Sequence, residues 1–69
     1  MGNFYYLNKN SQSTGEHEIH KETCYRRPDA MNEIFLGYFY NASDAKKEAK
    51  RYFDNIDGCY YCCLEIHRK

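Results

Sequence analysis

Four cysteines and three histidines fall mostly in two short stretches of this 69-residue chain, and their types and spacing are those of metal ligands. The first stretch reads His17-Glu18-Ile19-His20 and then Cys24; the second reads Cys59-Tyr60-Tyr61-Cys62-Cys63 and then His67. Zinc takes four ligands in a tetrahedron from thiolate sulfur and imidazole nitrogen, and a Cys-x2-Cys turn lets two sulfurs converge on one ion. The other ligands come from a distant segment, so that the ion cross-links the fold and its binding free energy becomes folding free energy. On this reasoning His20, Cys24, Cys59 and Cys62 are the first choice of zinc ligands, with His17, His67 and Cys63 as substitutes or supporting groups. The competing reading makes the cysteines small buried hydrophobes and the histidines surface residues.

Other chemistries match less well. His17-Glu18-Ile19-His20 lacks the spacing of a metalloprotease helix, whose histidines stand four apart with a glutamate base between them. A thiol-redox pair at Cys59 and Cys62 would need a helix N-terminus to activate it, and here the pair follows the end of a predicted helix. A Cys-His nucleophilic pair, Cys24 or Cys59 with His20 or His67, stays open as the basis of a small enzyme.

A domain this short buries little apolar surface. Ordering it costs on the order of 100 kcal/mol of conformational entropy at roughly 1.5 kcal/mol per residue, which burial in so small a body offsets only narrowly. A metal, disulfides or a partner would help. The chain is 17% aromatic, with eight Tyr and four Phe but one Pro, a composition that folds rather than stays disordered. Ten basic and ten acidic side chains leave a formal net charge of zero, so no global field draws the protein to nucleic acid. Stacking of tyrosines on bases, with Arg26, Arg27, Lys46, Lys47, Lys50 and Arg51 along a phosphate backbone, is the weaker account of these residues; a solvated helix face and sheet packing is the stronger. No apolar run approaches a membrane span and the N-terminus lacks a signal-peptide pattern, so the expected compartment is the cytoplasm, where the thiols stay reduced.

The elements that must position the clusters read as follows. Asn3 to Asn8 is a strand with Phe4 and Tyr6 on one face and Tyr5 and Leu7 on the other. A polar connection ending at Gly15 leads to an antiparallel second strand from Glu16 to Lys21. Pro28 marks a loop, and Glu33 to Tyr40 is a central strand in which Gly37 signals a bulge or a close approach. Asn41 or Ser43 caps a helix whose apolar face is Ala45, Ala49, Tyr52 and Phe53, with Gly58 in reach of its C-cap. The last strand is expected from Cys59 onward. The order strand, strand, strand, helix, strand predicts one α+β domain over residues 1–69, with one helix packed on a three- to four-stranded, mostly antiparallel sheet. The predicted core is Leu7, Ile19, Ile34, Leu36, Phe39, Ala45, Ala49, Tyr52, Phe53, Leu64 and Ile66.

A regular strand through Cys59–His67 would point Cys59 and Cys62 to opposite faces. The zinc reading therefore requires a turn at Tyr60-Tyr61, or else a ligand set of Cys59, Cys63 and His67.

Asn8-Lys9-Asn10, Gln12, Gly15, His-Glu-x-His-x3-Cys at His17 to Cys24, Leu-Gly-x-Phe at Leu36 to Phe39, Ala45, Ala49, Gly-Cys-x-x-Cys at Gly58 to Cys62, and His67 make a pattern that covers nearly the whole chain. In it the chain resembles a family of short bacterial proteins without an assigned activity. The resemblance implies a shared fold and a shared Cys/His constellation, with Cys63 as packing, rather than a reaction. The residues as a whole leave three expectations: a zinc-binding module that meets a macromolecular partner, most plainly a protein; a metal-free interaction protein such as a phage or mobile-element inhibitor of a host protein; and a small Cys/His-dependent enzyme.

Overall fold

The computed structural model describes residues 1–68; the one-domain reading extends to Lys69, which lies outside the described residues. Strands β1 (Asn3–Asn8), β2 (His17–Lys21), β3 (Glu33–Phe39) and β4 (Ile56–Gly58) form one sheet in the order β3-β1-β2-β4. β1 runs antiparallel to both of its neighbours, whereas β2 and β4 are parallel. A parallel pair needs a crossover. Here the chain from β2 to β4 supplies it through β3 and helix α1 (Ala42–Ala49). The protein is thus an α+β domain with one helix on a mixed four-stranded sheet.

Period-two alternation sorts the side chains between the two faces. Leu7 is registered with Ile19 on one side and Ile34 on the other, and these residues join Tyr5, Leu36, Ile56, Ile66 and the helix alanines Ala42, Ala45 and Ala49 in the core. Alanine at those three helix positions lets α1 lie close against the sheet. The Asn41 side chain accepts the Asp44 N–H at 2.8 Å, which satisfies one orphan donor of the first turn. Tyr6 is registered with His20 and with Phe35, so these residues share the other face. In β3 the register shifts opposite Tyr5 and Tyr6, and Gly37 takes φ 128°, the bulge its glycine signalled.

Four expectations from the sequence are corrected. β3 is an edge strand rather than the central one, because it pairs with β1 alone. The last strand does not begin at Cys59: β4 ends at Gly58, and the following residues make a turn and then a 3-10 turn at Leu64–Ile66. Helix α1 closes at Ala49, so Gly58 is a strand residue rather than a C-cap. The physical reason is that Ile56-Asp57-Gly58 finds backbone partners on β2, which outweighs extension of a short helix. Tyr52 and Leu64 are exposed, at 47% and 60%, while Tyr5, Ala42, Ile56 and Cys63 take core places. Tyr52 sits in the turn after α1 and Leu64 opens the 3-10 turn, where the strand and α-helix periodicities that placed them inward do not operate. Among the described residues no helix is long and apolar enough to cross a membrane.

Candidate metal centre

His20 is the last but one residue of β2, on the face away from α1. The loop after β2 folds back over this face. Arg27 forks onto Glu33, with Nε to Oε2 at 3.1 Å and Nη2 to Oε1 at 2.6 Å, while its Nη1 donates to the Glu22 carbonyl at 2.7 Å. The same guanidinium lies 4.0 Å from the centroid of the Tyr6 ring. A bidentate pair of this kind fixes direction as well as distance. Inside the loop so anchored, Cys24 N–H donates to Lys21 O at 3.0 Å and Arg27 N–H to Cys24 O at 3.2 Å, which turns Cys24 toward His20.

The second segment enters from β4. Cys59 N–H continues the parallel ladder onto Ile19 O at 3.0 Å, and Cys63 N–H closes a turn on Cys59 O at 2.8 Å. The turn at Tyr60-Tyr61 brings Cys59 and Cys62 to one side. Gly58 makes it possible, because a Cβ there would collide with Ile66 Cγ1 and lie 2.6 Å from the Cys63 carbonyl oxygen. The C-terminal segment is tied to the same strand: Arg68 N–H donates to Asp57 Oδ1 at 2.7 Å, and His67 Nδ1 lies 2.9 Å from Gly58 O.

One ligand atom from each of His20, Cys24, Cys59 and Cys62 falls within 4.8 Å of the others. The Cys24 and Cys59 sulfurs are 3.9 Å apart, although the residues are 35 positions apart in sequence. Two sulfurs at about 2.3 Å from one zinc subtend an edge of about 3.8 Å, whereas a disulfide requires about 2.05 Å. All four cysteines are free thiols. Backbone donors point at the sulfurs: Arg26 N–H to Cys24 Sγ at 3.4 Å and Lys21 N–H to Cys62 Sγ at 3.3 Å, with the Tyr61 and Cys62 amides acting on Cys59. Such dipoles favour the thiolate.

The ring of His20 is 1% exposed. Its Nε2 lies 3.5 Å from Glu18 Oε1, and its Nδ1 is buried with no hydrogen-bond partner among the described residues. A buried nitrogen without a partner costs about 1–3 kcal/mol. A metal on Nδ1 removes that cost, and the carboxylate on the other nitrogen is the usual companion of a ligating histidine. The chemistry of the donor set, three sulfurs and one imidazole, fits zinc.

Without a metal the site is unfavourable to charge. Burial pushes the Cys59 thiol up to about 12 and the Cys24 thiol up as well, and the neighbouring Cys63 thiol together with burial raises Cys62. Burial pulls His20 down to about 4, so its ring is neutral at physiological pH and has a free lone pair to offer. Glu18 is raised by burial and then by the Asp57 carboxylate registered beside it.

The three substitute positions lie elsewhere. His17 stacks on Phe53 at 3.6 Å between centroids and 4° between planes, with Nδ1 2.9 Å from Asn8 O. His67 Nδ1 sits 3.3 Å from Asp57 Oδ2. Cys63 is fully buried in the core, with its sulfur 3.7 Å from that of Cys62.

No family model, curated protein or solved structure matches the chain. The functional reading therefore rests on the geometry alone. Sequence reasoning missed Glu18 as the partner of His20, yet the signal was present: residues two apart on a strand share a face. The Lys21 amide at Cys62 had no such signal, because a backbone donor is independent of side-chain type.

Proposed function

We propose that the protein is a small zinc-stapled module in which His20, Cys24, Cys59 and Cys62 hold one structural zinc ion and the open face of the sheet meets a protein partner. The observation that carries the zinc half is His20 Nδ1: a buried nitrogen without a partner, on a ring that offers a ligand atom within 4.8 Å of three sulfurs. A structural site uses four protein ligands and stabilises the fold outright.

The partner half is supported by aromatic side chains on the face away from α1. Phe4, Phe35 and Tyr38 are 41%, 54% and 50% exposed, and their rings touch, at 5.9 Å for Phe4–Phe35 and 5.1 Å for Phe4–Tyr38. Contiguous exposed aromatics mark interaction surfaces. The zero net charge, and the pairing of Arg27 with Glu33, favour a protein over a nucleic acid here. The enzyme reading has less support, since a nucleophilic cysteine needs its thiol lowered and three of these are raised.

Native mass spectrometry of protein purified without chelator tests the zinc half: one zinc per chain is expected, and EDTA should lower the melting temperature by roughly 10 °C or more. An apo mass together with an unchanged melt sinks it and leaves the metal-free interaction module. For the partner half, Phe35→Ser with Tyr38→Ser should retain zinc and melting temperature yet lose the partner that the wild-type chain co-purifies with.

A further inference from the structure

Of the four proposed ligands, two are sealed and two are not. His20 and Cys59 are 1% and 2% exposed, whereas Cys24 and Cys62 line the wall of an open cleft of about 320 Å³ together with Lys21, Thr23, Tyr25 and Tyr61. The cleft offers no stacking slot for a flat ligand, because the Tyr25 and Tyr61 rings stand 5.8 Å apart and are tilted by 60°. A small polar molecule is what its size and its ammonium and hydroxyl groups admit. Both cysteines that line the cleft carry a soft nucleophile, and a thiolate held by zinc remains one.

We infer that the cleft admits hydrogen peroxide to the Cys24 sulfur, and that Cys59 then closes a disulfide with Cys24 and expels the zinc; this rests on the zinc reading above. In the first step the Cys24 thiolate attacks one peroxide oxygen. An S–O bond forms, the O–O bond breaks, and the departing hydroxide takes a proton to become water. In the second step the Cys59 thiolate attacks the sulfenic sulfur of Cys24, an S–S bond forms, the S–O bond breaks, and a second hydroxide leaves as water after protonation. Two thiolates, one peroxide and two protons thus give one disulfide and two waters: the sulfurs lose the two electrons that the peroxide gains.

The choice of pair follows from position. The Cys59 sulfur lies 3.9 Å from that of Cys24 and is absent from the cleft wall, so it approaches from the protein side while the oxygen leaves toward the cleft. Cys62 also meets the cleft and interacts with Cys24, but its sulfur lies 3.7 Å from that of Cys63, whereas the Cys24 sulfur has that of Cys59 at 3.9 Å. Adjacent residues hold their Cα atoms about 3.8 Å apart, short of the roughly 4.4–6.8 Å that an unstrained disulfide spans. Once Cys24 and Cys59 are joined, the ion keeps only His20 and Cys62 and is lost. The two segments remain cross-linked, now covalently, so oxidation releases the metal without releasing the loop.

The experiment treats zinc-loaded protein with hydrogen peroxide, follows zinc with a chromophoric chelator, counts thiols, and maps the bond by tandem mass spectrometry of a tryptic digest. Expected are release of about one zinc per peroxide consumed, a fall from four free thiols to two, and a Cys24–Cys59 link. Cys63→Ser, and Cys63→Ala in case the hydroxyl disturbs the core, should release zinc within about twofold of the wild-type rate. Zinc retained under about tenfold excess peroxide, a link that includes Cys62 or Cys63, or slow release in both Cys63 variants overturns the inference while leaving the zinc reading intact. A chain that carries no zinc before peroxide is added overturns both.

Discussion

Glu18 Oε1 lies 3.5 Å from Nε2 of His20, and the opposite nitrogen of that ring is the buried atom without a partner. A carboxylate on this side of the ring favours the proton on Nε2, which would leave the Nδ1 lone pair for an ion. Glu18→Ala is expected to weaken zinc binding by about 10–100-fold, and Glu18→Gln by less, since its amide oxygen still accepts. Competition titration against a chromophoric chelator measures both; equal affinity in wild type and Glu18→Ala would show that the ring is held by other means.

The metal-free protein should lose stability in mild acid. His20 is pulled from 6.5 to about 4 by burial, so between those values the unfolded chain binds a proton that the folded chain refuses. Its contribution is therefore complete above about pH 6.5 and is lost as the pH falls toward about 4, to a total on the order of 3 kcal/mol. Urea midpoints of EDTA-treated protein from about pH 7.5 to about pH 4.5 trace the loss, and His20→Gln should flatten that part of the curve. A slope that the variant keeps would assign it to other groups.

Gly58→Ala should cost about 1–3 kcal/mol and weaken zinc binding in parallel, because the new methyl meets the Cys63 carbonyl of the turn that presents Cys59 and Cys62. Backbone there cannot step aside as a flexible side chain would. A Gly58→Ala protein with wild-type urea midpoint and wild-type zinc affinity would mean that the turn has more freedom than its contacts allow.

Leu7 and Leu64 make a matched test of the core. Leu7 is fully buried between β2 and β3, and Leu7→Ala is expected to cost about 2–5 kcal/mol. Leu64 is 60% exposed, and Leu64→Ala should stay within about 0.5 kcal/mol of wild type. Denaturant unfolding of the two variants reads the contrast directly.

The extents of β1, β2 and β3, the start of α1 and the bulge at Gly37 were legible in the sequence because each is announced by a local rule: alternation, a capping Asn, a glycine inside an apolar run; the edge position of β3 was not, since an apolar run does not tell a central strand from an edge one. The assembly of His20, Cys24, Cys59 and Cys62 was legible as ligand types at ligand spacing, and the need for a turn at Tyr60-Tyr61 followed from strand geometry. The fate of Ile56–Gly58 was not, since these three residues carry no pattern of their own and are strand only because β2 offers an edge. Leu64 and Tyr52 were misplaced because their apolar character was visible but the tight turns that hold them outward carry no strand or α-helix period. Glu18 could have been named from its offset of two to His20; the amide donors to the sulfurs could not.

The parallel pairing of β2 with β4 also orders events in time. His17 meets Ile56 and Ile19 meets Gly58, so this contact joins residues 39 positions apart, a closure of high sequence separation. Cys59 and Cys62 reach His20 and Cys24 only when that closure is made. An ion held by all four would find its ligands together only once that closure is made, so its binding free energy would fall on the native side. In a chevron experiment zinc should leave the refolding limb where it is and slow the unfolding limb, so that the metal acts on how long the protein stays folded rather than on how fast it gets there.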